Sequence, residues 1–393
     1  MLLIYYFSAI LGMLAGNMFN YTSIILSQSI SESDAFSGWV FFFICMPLLF
    51  LSFPAGNFLD RYSRKWVLAF SQLTMALSAT ITVIGLEYGW IGVGKPYLLL
   101  LPSFLTGIGL AFAMPGRFAI LGDILDHSKI GTHSVWMNTF VLFGYGLAPL
   151  IAGSLKEFLP FKQVFIGIVV SYLLSATLLI FLPISTKDRV EHTGTTGITA
   201  VFTYLKNSIL VRQFLQVMGS VVLLVGPVQI LLPKYAKEIL HLNEASRGAL
   251  LTVLGIGLVI GGTATFLFHS FRRKGHILFG LSFFMSLLFA GLPFFSSNLF
   301  VTSFLLFLFG LFTGVVITLI PAGIQQNTEN FIRGRILSVY SLVFLLVPAI
   351  TGVIAGFISD RIGISATFVW AGFMELGSLV YMSWRMGEVR KSF

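Results

Sequence analysis

The sequence predicts an all-α integral membrane protein with twelve transmembrane helices in two pseudo-symmetric six-helix bundles. Three observations carry that reading. Of 393 residues, 56% are hydrophobic and only 10% charged, too few charges to clothe a water-soluble protein of this length, so the outer solvent is lipid. Apolar runs of about 20 residues, the length a helix needs to cross a bilayer, recur twelve times with little chain left over. The longest polar interval, 185–211, follows the sixth run and divides the runs six and six.

The predicted spans, numbered 1 to 12, are 2–26, 37–59, 66–86, 97–122, 133–155, 163–183, 211–233, 246–269, 276–295, 299–325, 335–357 and 364–384. Span 1 has no basic residue before it and is too long for a signal-peptide core, so it is read as a helix of the bundle. The expected domains are an N-terminal bundle 1–184, a cytoplasmic linker 185–210 and a C-terminal bundle 211–393. Within the linker, 198–210 reads as a short interfacial helix with Phe202 and Leu205 towards lipid.

With the N-terminus placed in the cytoplasm, sixteen Lys and Arg residues flank spans on the inner side and seven on the outer side. That excess is the positive-inside bias. It sets both termini in the cytoplasm of a multi-pass plasma-membrane protein, and the economy of loop length fits a bacterial inner membrane. The net charge of +9 does not signal nucleic acid, because the basic residues are spread over loops and not gathered in a block.

Other function classes fall away. The single cysteine, Cys45, excludes an intramolecular disulfide and a cysteine metal cluster. The six histidines and fifteen acids form no metal-ligand spacing, and there is no phosphate-cradling loop or nucleophile elbow. No enzyme, metal or cofactor is expected, and any energy source is a gradient. The expected partners are a small-molecule substrate, a proton as candidate coupling ion, and the bilayer, with the protein a monomer.

The halves echo each other. At an offset of 203, Gly131 falls on Gly334, Leu142 on Leu345, 151–153 (Ile-Ala-Gly) on 354–356, and Phe165 on Phe368. Pro115 and Pro321 occupy matching places in spans 4 and 10. Two repeats related by an axis along the membrane normal place a substrate near the midplane between halves that rock.

Spans 2 and 3 are joined by Gly56-Asn-Phe-Leu-Asp60-Arg61-Tyr-Ser-Arg64-Lys65. This glycine-opened, basic turn resembles the signature loop of the major facilitator superfamily, with Ser63 where the family usually has glycine. The resemblance covers essentially the whole chain. It implies that Gly56 is a close-contact residue against span 11 and that Asp60 faces the positive N-terminal end of that helix. Arg61 and Lys65 fill the basic positions, and Arg64 would reach an acid at the end of span 4, either Asp123 or Asp126. Such contacts gate and do not bind substrate. A similar sequence at 356–363 falls on the outer side by helix parity and is read as a capped helix end and turn.

In span 5, Gly144-Tyr-Gly146-Leu-Ala-Pro149-Leu-Ile-Ala-Gly153 looks like a degenerate form of an element common in proton-driven exporters of that superfamily. Its small residues are expected to pack a neighbouring helix closely. Asn17, Asn20 and Tyr21 in span 1, Asn138 in span 5, Gln229 in span 7, and Gln325 and Gln326 in span 10 are the polar candidates for substrate binding. Uncharged amides among 41 phenylalanines suggest a lipophilic or amphipathic substrate. Arg117, inside span 4, is an anion or substrate anchor, the partner of Asp123 or Asp126, or a cation that simply snorkels to the membrane surface. Glu375, the acid near the middle of span 12, is the proton-coupling candidate. Many exporters of the superfamily carry an acid in span 1, where this chain has asparagine.

Two subgroups share local features. The stretch 115–123 with Lys129 is similar to bacterial lysophospholipid transporters, and 226–235 to drug and siderophore exporters of the enterobactin-exporter type. In 226–235, Pro227 and Pro233 bracket a segment read either as a bendable gate or as a static kink and helix stop. The expected function is rocking-switch secondary active transport, with proton-coupled export of a lipophilic or amphipathic small molecule (drug, siderophore or lysolipid). The alternatives are a passive facilitator or importer, and a non-transporting membrane sensor.

Overall fold

A computed structural model describes residues 1–125, 127–183, 198–265 and 274–391. Among them are twelve helices long and apolar enough to cross a membrane, and no strand. The first six are α1 (Leu2–Ile30), α2 (Asp34–Arg61), α3 (Arg64–Glu87), α4 (Pro96–Ile124), α5 (His127–Phe158) and α6 (Phe161–Ile180). The second six are α7 (Ile209–Glu238), α8 (Glu244–Ala264), α9 (Lys274–Gly291), α10 (Leu299–Gln326), α11 (Asn330–Ile362) and α12 (Ile364–Arg385). The expected all-α membrane architecture is therefore present, with helices reaching past several predicted ends.

The overshoot has a local cause. Ser27 and Ser29 lie beyond the predicted end of the first span, yet their hydroxyls donate to the carbonyls of Ile24 (2.6 Å) and Leu26 (2.7 Å). A serine bonded to its own helix carries no unsatisfied polar group into the bilayer. Elsewhere the ends are chemically marked. Asn298 accepts from the Phe300 and Val301 amides at 3.1 and 3.2 Å to start α10. Gly363, at φ 83°, donates to Ser359 O at 2.8 Å and separates α11 from α12. That backbone conformation suits glycine, and the segment 356–363 is thus a capped helix end.

In α7, a 3-10 turn at Val222–Leu224 interrupts the helix just before Gly226-Pro227. Pro227 has no amide to give the carbonyl four residues back, which loosens the turn there. Pro233 does not stop the helix, which runs on to Glu238. The linker contains a helix at Ile198–Asn207, and Ser208 separates it from the next, which starts at Ile209. Leu205 lies within that helix, while the Phe202 side chain lies outside the described residues.

The chain forms two compact units. One is Met1–His192 with Leu242–Thr252, the other Thr193–His241 with Val253–Phe393. The start of α8, Glu244 to Thr252, thus belongs with the N-terminal helices and its remainder with the C-terminal ones. Each unit has its own aromatic core. In the first, Phe165 of α6 packs edge-on against Phe19 of α1 at 5.6 Å. In the second, its sequence equivalent Phe368 of α12 packs against Tyr235 of α7 at 5.3 Å and Phe289 of α9 at 4.8 Å. All five rings are fully buried, so the repeat read from the sequence corresponds to a shared helix-to-helix contact.

In the second unit α8 and α10 cross backbone to backbone. A methyl group on Gly257 would collide with the Phe307 carbonyl, and one on Gly310 with that of Leu254. Without a hydrophobic drive between helices in lipid, such close van der Waals contact is what binds them.

Candidate functional site

At one membrane face, α3 opens with Arg64 directly after the turn that ends α2. Its Nη1 donates to the Ala119 carbonyl at 2.8 Å and to Asp123 Oδ1 at 2.9 Å. The cation therefore meets both a carbonyl and a carboxylate in the last turns of α4, the negative end of that helix. Next to it, Lys65 Nζ donates to the Leu182 carbonyl at 2.7 Å, just past α6. The two basic residues tie the start of α3 to the ends of α4 and α6. Of the other gate candidates, Arg61 is exposed and lies over the Tyr62 ring at 6.0 Å. A methyl group on Gly56 would meet no described atom within 4 Å. Asp126, and the side chain of Asp60, lie outside the described residues.

At the opposite face α5 meets the beginning of α8. A Cβ on Gly153 would fall 2.6 Å from the Glu244 carbonyl oxygen and 3.2 Å from Gly248 Cα. One on Gly248 would overlap the Pro149 carbonyl. The two glycines therefore let the backbones touch, and Gly146 is buried on the same helix. A turn further on, the Glu157 carboxylate accepts from Asn243 Nδ2 and from the Ala245 amide, both at 3.3 Å. An anion at the amide end of α8 is electrostatically matched to it. Behind this cap, Arg247 is buried and paired with Glu244 one turn earlier. The Tyr21 hydroxyl lies within electrostatic reach of both and is buried with no hydrogen-bond partner among the described residues.

Between these faces, Asn17 donates to Met13 O at 2.9 Å, and a Cβ on Gly144 would sit 3.0 Å from Asn17 Nδ2. Asn20 Oδ1 is buried with no hydrogen-bond partner among the described residues. Alongside runs an apolar groove of about 290 Å³ lined by Ile10, Leu14, Phe140, Phe143, Gly144 and Leu147. In the second unit Gln229 is half-buried, and Gln325 and Gln326 are exposed at the end of α10. The Asn138 side chain lies outside the described residues.

Arg117 does not pair with Asp123, whose partner is Arg64. It is 5% exposed and turns into the first unit, towards Gly12 of α1, Gln72 of α3, and Tyr172 and Ser175 of α6. In the second unit Glu375 is buried, and both its oxygens accept from Ser220 Oγ of α7, at 3.0 and 3.1 Å. Ser220 also bonds Ser378 at 2.9 Å. Gln72, Tyr172, Glu157, Gly248 and Ser220 are residues that sequence reasoning did not single out. Only Gly248, one of the small residues in α8, carried any local signal.

The sequence model of the Major Facilitator Superfamily matches residues 5–329. The chain belongs to that superfamily. It is a multi-pass membrane transporter of small solutes and not an enzyme. Its sequence is similar to a staphyloferrin A transporter of Staphylococcus aureus, with 23% identity over 343 residues, 86% of this chain and 84% of that one. It is also similar to a putative proline/betaine transporter of Staphylococcus haemolyticus, 29% identical over 129 residues. That second match spans 32% of this chain and only 28% of the relative.

Solved superfamily structures share the fold. A bacterial homologue of the human lysosomal transporter Spinster, inward-facing and occupied, gives a TM-score of 0.75 at 11% identity, covering 100% of this chain and 96% of that one. A D-xylose–proton symporter gives 0.73 at 15% identity, covering 96% and 97%.

Proposed function

We propose that this superfamily member is a secondary active exporter of a lipophilic or amphipathic small molecule, working by alternating access. The observation that carries the reading is a tied contact at each membrane face of the first unit. Arg64 with Asp123 and Ala119 forms the inner tie; Gly153, Gly248 and Glu157 form the outer one. A carrier needs a device at each face, because opening both at once dissipates the gradient it uses. Gly56, Asp60, Arg61, Lys65 and Asp126 complete the inner device in this reading. The excess of basic residues flanking the Arg64 face supports placing it in the cytoplasm, with both termini, in a bacterial inner membrane.

Asn17, Asn20, Tyr21, Asn138, Gln229, Gln325 and Gln326 are proposed to meet the cargo. The apolar groove along α1 and α5 favours an amphipathic cargo, and the similarity to a staphyloferrin A transporter supports a siderophore within that class. Proton coupling falls to Glu375, which has serine partners and no basic one among the described residues. A passive facilitator is the second reading, favoured by asparagine at positions 17 and 20, where many relatives carry an acid.

The test is flux in proteoliposomes with an imposed pH gradient, screening siderophores, dyes and lysolipids against an Asp60→Asn control. Accumulation that collapses with the gradient and in the variant supports the exporter. Flux that only ever follows the cargo's own gradient makes the protein a facilitator.

A further inference from the structure

One face of α12 is an apolar stripe that ends in rings and cations. Trp370, Phe373, Met374, Val380, Tyr381 and Trp384 are all exposed, and their helical spacing sets them on one side of the helix. At 1.5 Å per residue the stretch from Trp370 to Trp384 is about 21 Å long. That exceeds the roughly 15 Å of hydrocarbon in one leaflet. Within the stripe Gly377 is exposed, and a Cβ there would meet no described atom within 4 Å. The stripe therefore has a notch down to the backbone.

At its end Arg385 lies over the Tyr381 and Trp384 rings, at 5.9 and 5.8 Å. The chain then folds back. Val389 is fully buried and Met386 nearly so. The Val389 amide donates to Gln213 Oε1 of α7 at 3.1 Å, and a Cβ on Gly275 of α9 would collide with the Val389 carbonyl. These contacts pin the segment within the second unit and return Arg390 to α12, where its Nη1 donates to the Ser383 carbonyl at 3.4 Å. Both arginines are exposed, and neither forms an ion pair among the described residues. The one acid between 376 and 391, Glu388, is outnumbered by Arg385, Arg390 and Lys391.

Two permanently charged guanidinium groups at one helix end attract an anion, and phosphate oxygens match their N–H geometry. Trp and Tyr rings beneath them are the side chains that settle at headgroup level. A free anion would use the arginines alone. A phospholipid uses the arginines for its phosphate and the stripe for a chain, and the stripe runs without a break into the cations.

We propose that the end of α12, with the folded-back segment 386–391, is a docking surface for an anionic phospholipid. The phosphate meets Arg385 and Arg390, and one acyl chain lies along the stripe at Gly377. The surface is independent of what the protein carries and of the direction of transport.

The test is the melting temperature of the purified full chain in neutral detergent, titrated with phosphatidylglycerol, phosphatidylcholine or soluble glycerol 3-phosphate at constant ionic strength. The expected result is a saturable rise with phosphatidylglycerol alone. Arg385→Gln leaves every contact of the folded-back segment in place and should need about five-fold more lipid for the same rise. Adding Arg390→Gln should raise the requirement by about five-fold again. No rise in wild type, an equal rise with phosphatidylcholine or glycerol 3-phosphate, or an unchanged titration in the double variant overturns the inference.

Discussion

One nitrogen of Arg64 holds both Asp123 Oδ1, at 2.9 Å, and the carbonyl oxygen of Ala119, at 2.8 Å. The pair is partly buried, with side-chain exposures of 21% and 12%. The contact ties the start of α3 to the end of α4.

Removing either partner should therefore have similar consequences. Arg64→Gln and Asp123→Asn are each expected to impair transport, and the double variant to be no worse than the single ones. The coupling energy in thermal or denaturant unfolding should be about 1 kcal/mol, typical for a partly exposed pair. Arg64→Lys keeps the charge but not the fixed direction of the guanidinium N–H groups, so its transport should fall between wild type and Arg64→Gln. Strictly additive losses would show that the residues act independently.

Gly248→Ala tests the other face. The added methyl group meets the Pro149 carbonyl, and relieving that overlap should cost the packed arrangement about 1–3 kcal/mol. Transport is expected to fall while the protein still folds, and a thiol label at position 157 should react faster from outside. Wild-type flux together with wild-type labelling would remove this contact from the gate.

Glu375→Gln keeps a group that can accept from Ser220 but cannot carry a proton. The variant should fold normally and transport with a flattened pH profile. A profile unchanged from wild type would take Glu375 out of the coupling mechanism and leave it as a buried helix-to-helix bond.

The spans were legible because each is set by a local property, hydropathy over about 20 residues. Their ends were less so: Ser27 and Ser29 look like loop residues until their hydroxyls are seen returning to the helix. The position of Arg64 could be read from its loop, and Asp123 was one of two expected partners. Gly153 was legible as a packing residue, but its partner Gly248 lies on a helix three further along the chain. Arg247 falls at the start of predicted span 8, and its pairing with Glu244 is what lets it be buried. The surroundings of Arg117 were the least legible, because Gly12, Gln72 and Tyr172 come from three other helices and share no sequence pattern. Long-range convergence of that kind is a property of packing and leaves no periodic trace.

In the proposed cycle the contact between α5 and the start of α8 opens once in every turnover. Its most direct test is a reversible cross-link between Glu157→Cys and Asn243→Cys in a Cys45→Ala background, with flux measured in proteoliposomes before and after reduction. These side chains already lie within hydrogen-bonding distance, 3.3 Å apart. The oxidised carrier should be silent, and reduction should restore flux to the level of the uncross-linked variant. A fully cross-linked protein that transports at the reduced rate would contradict it.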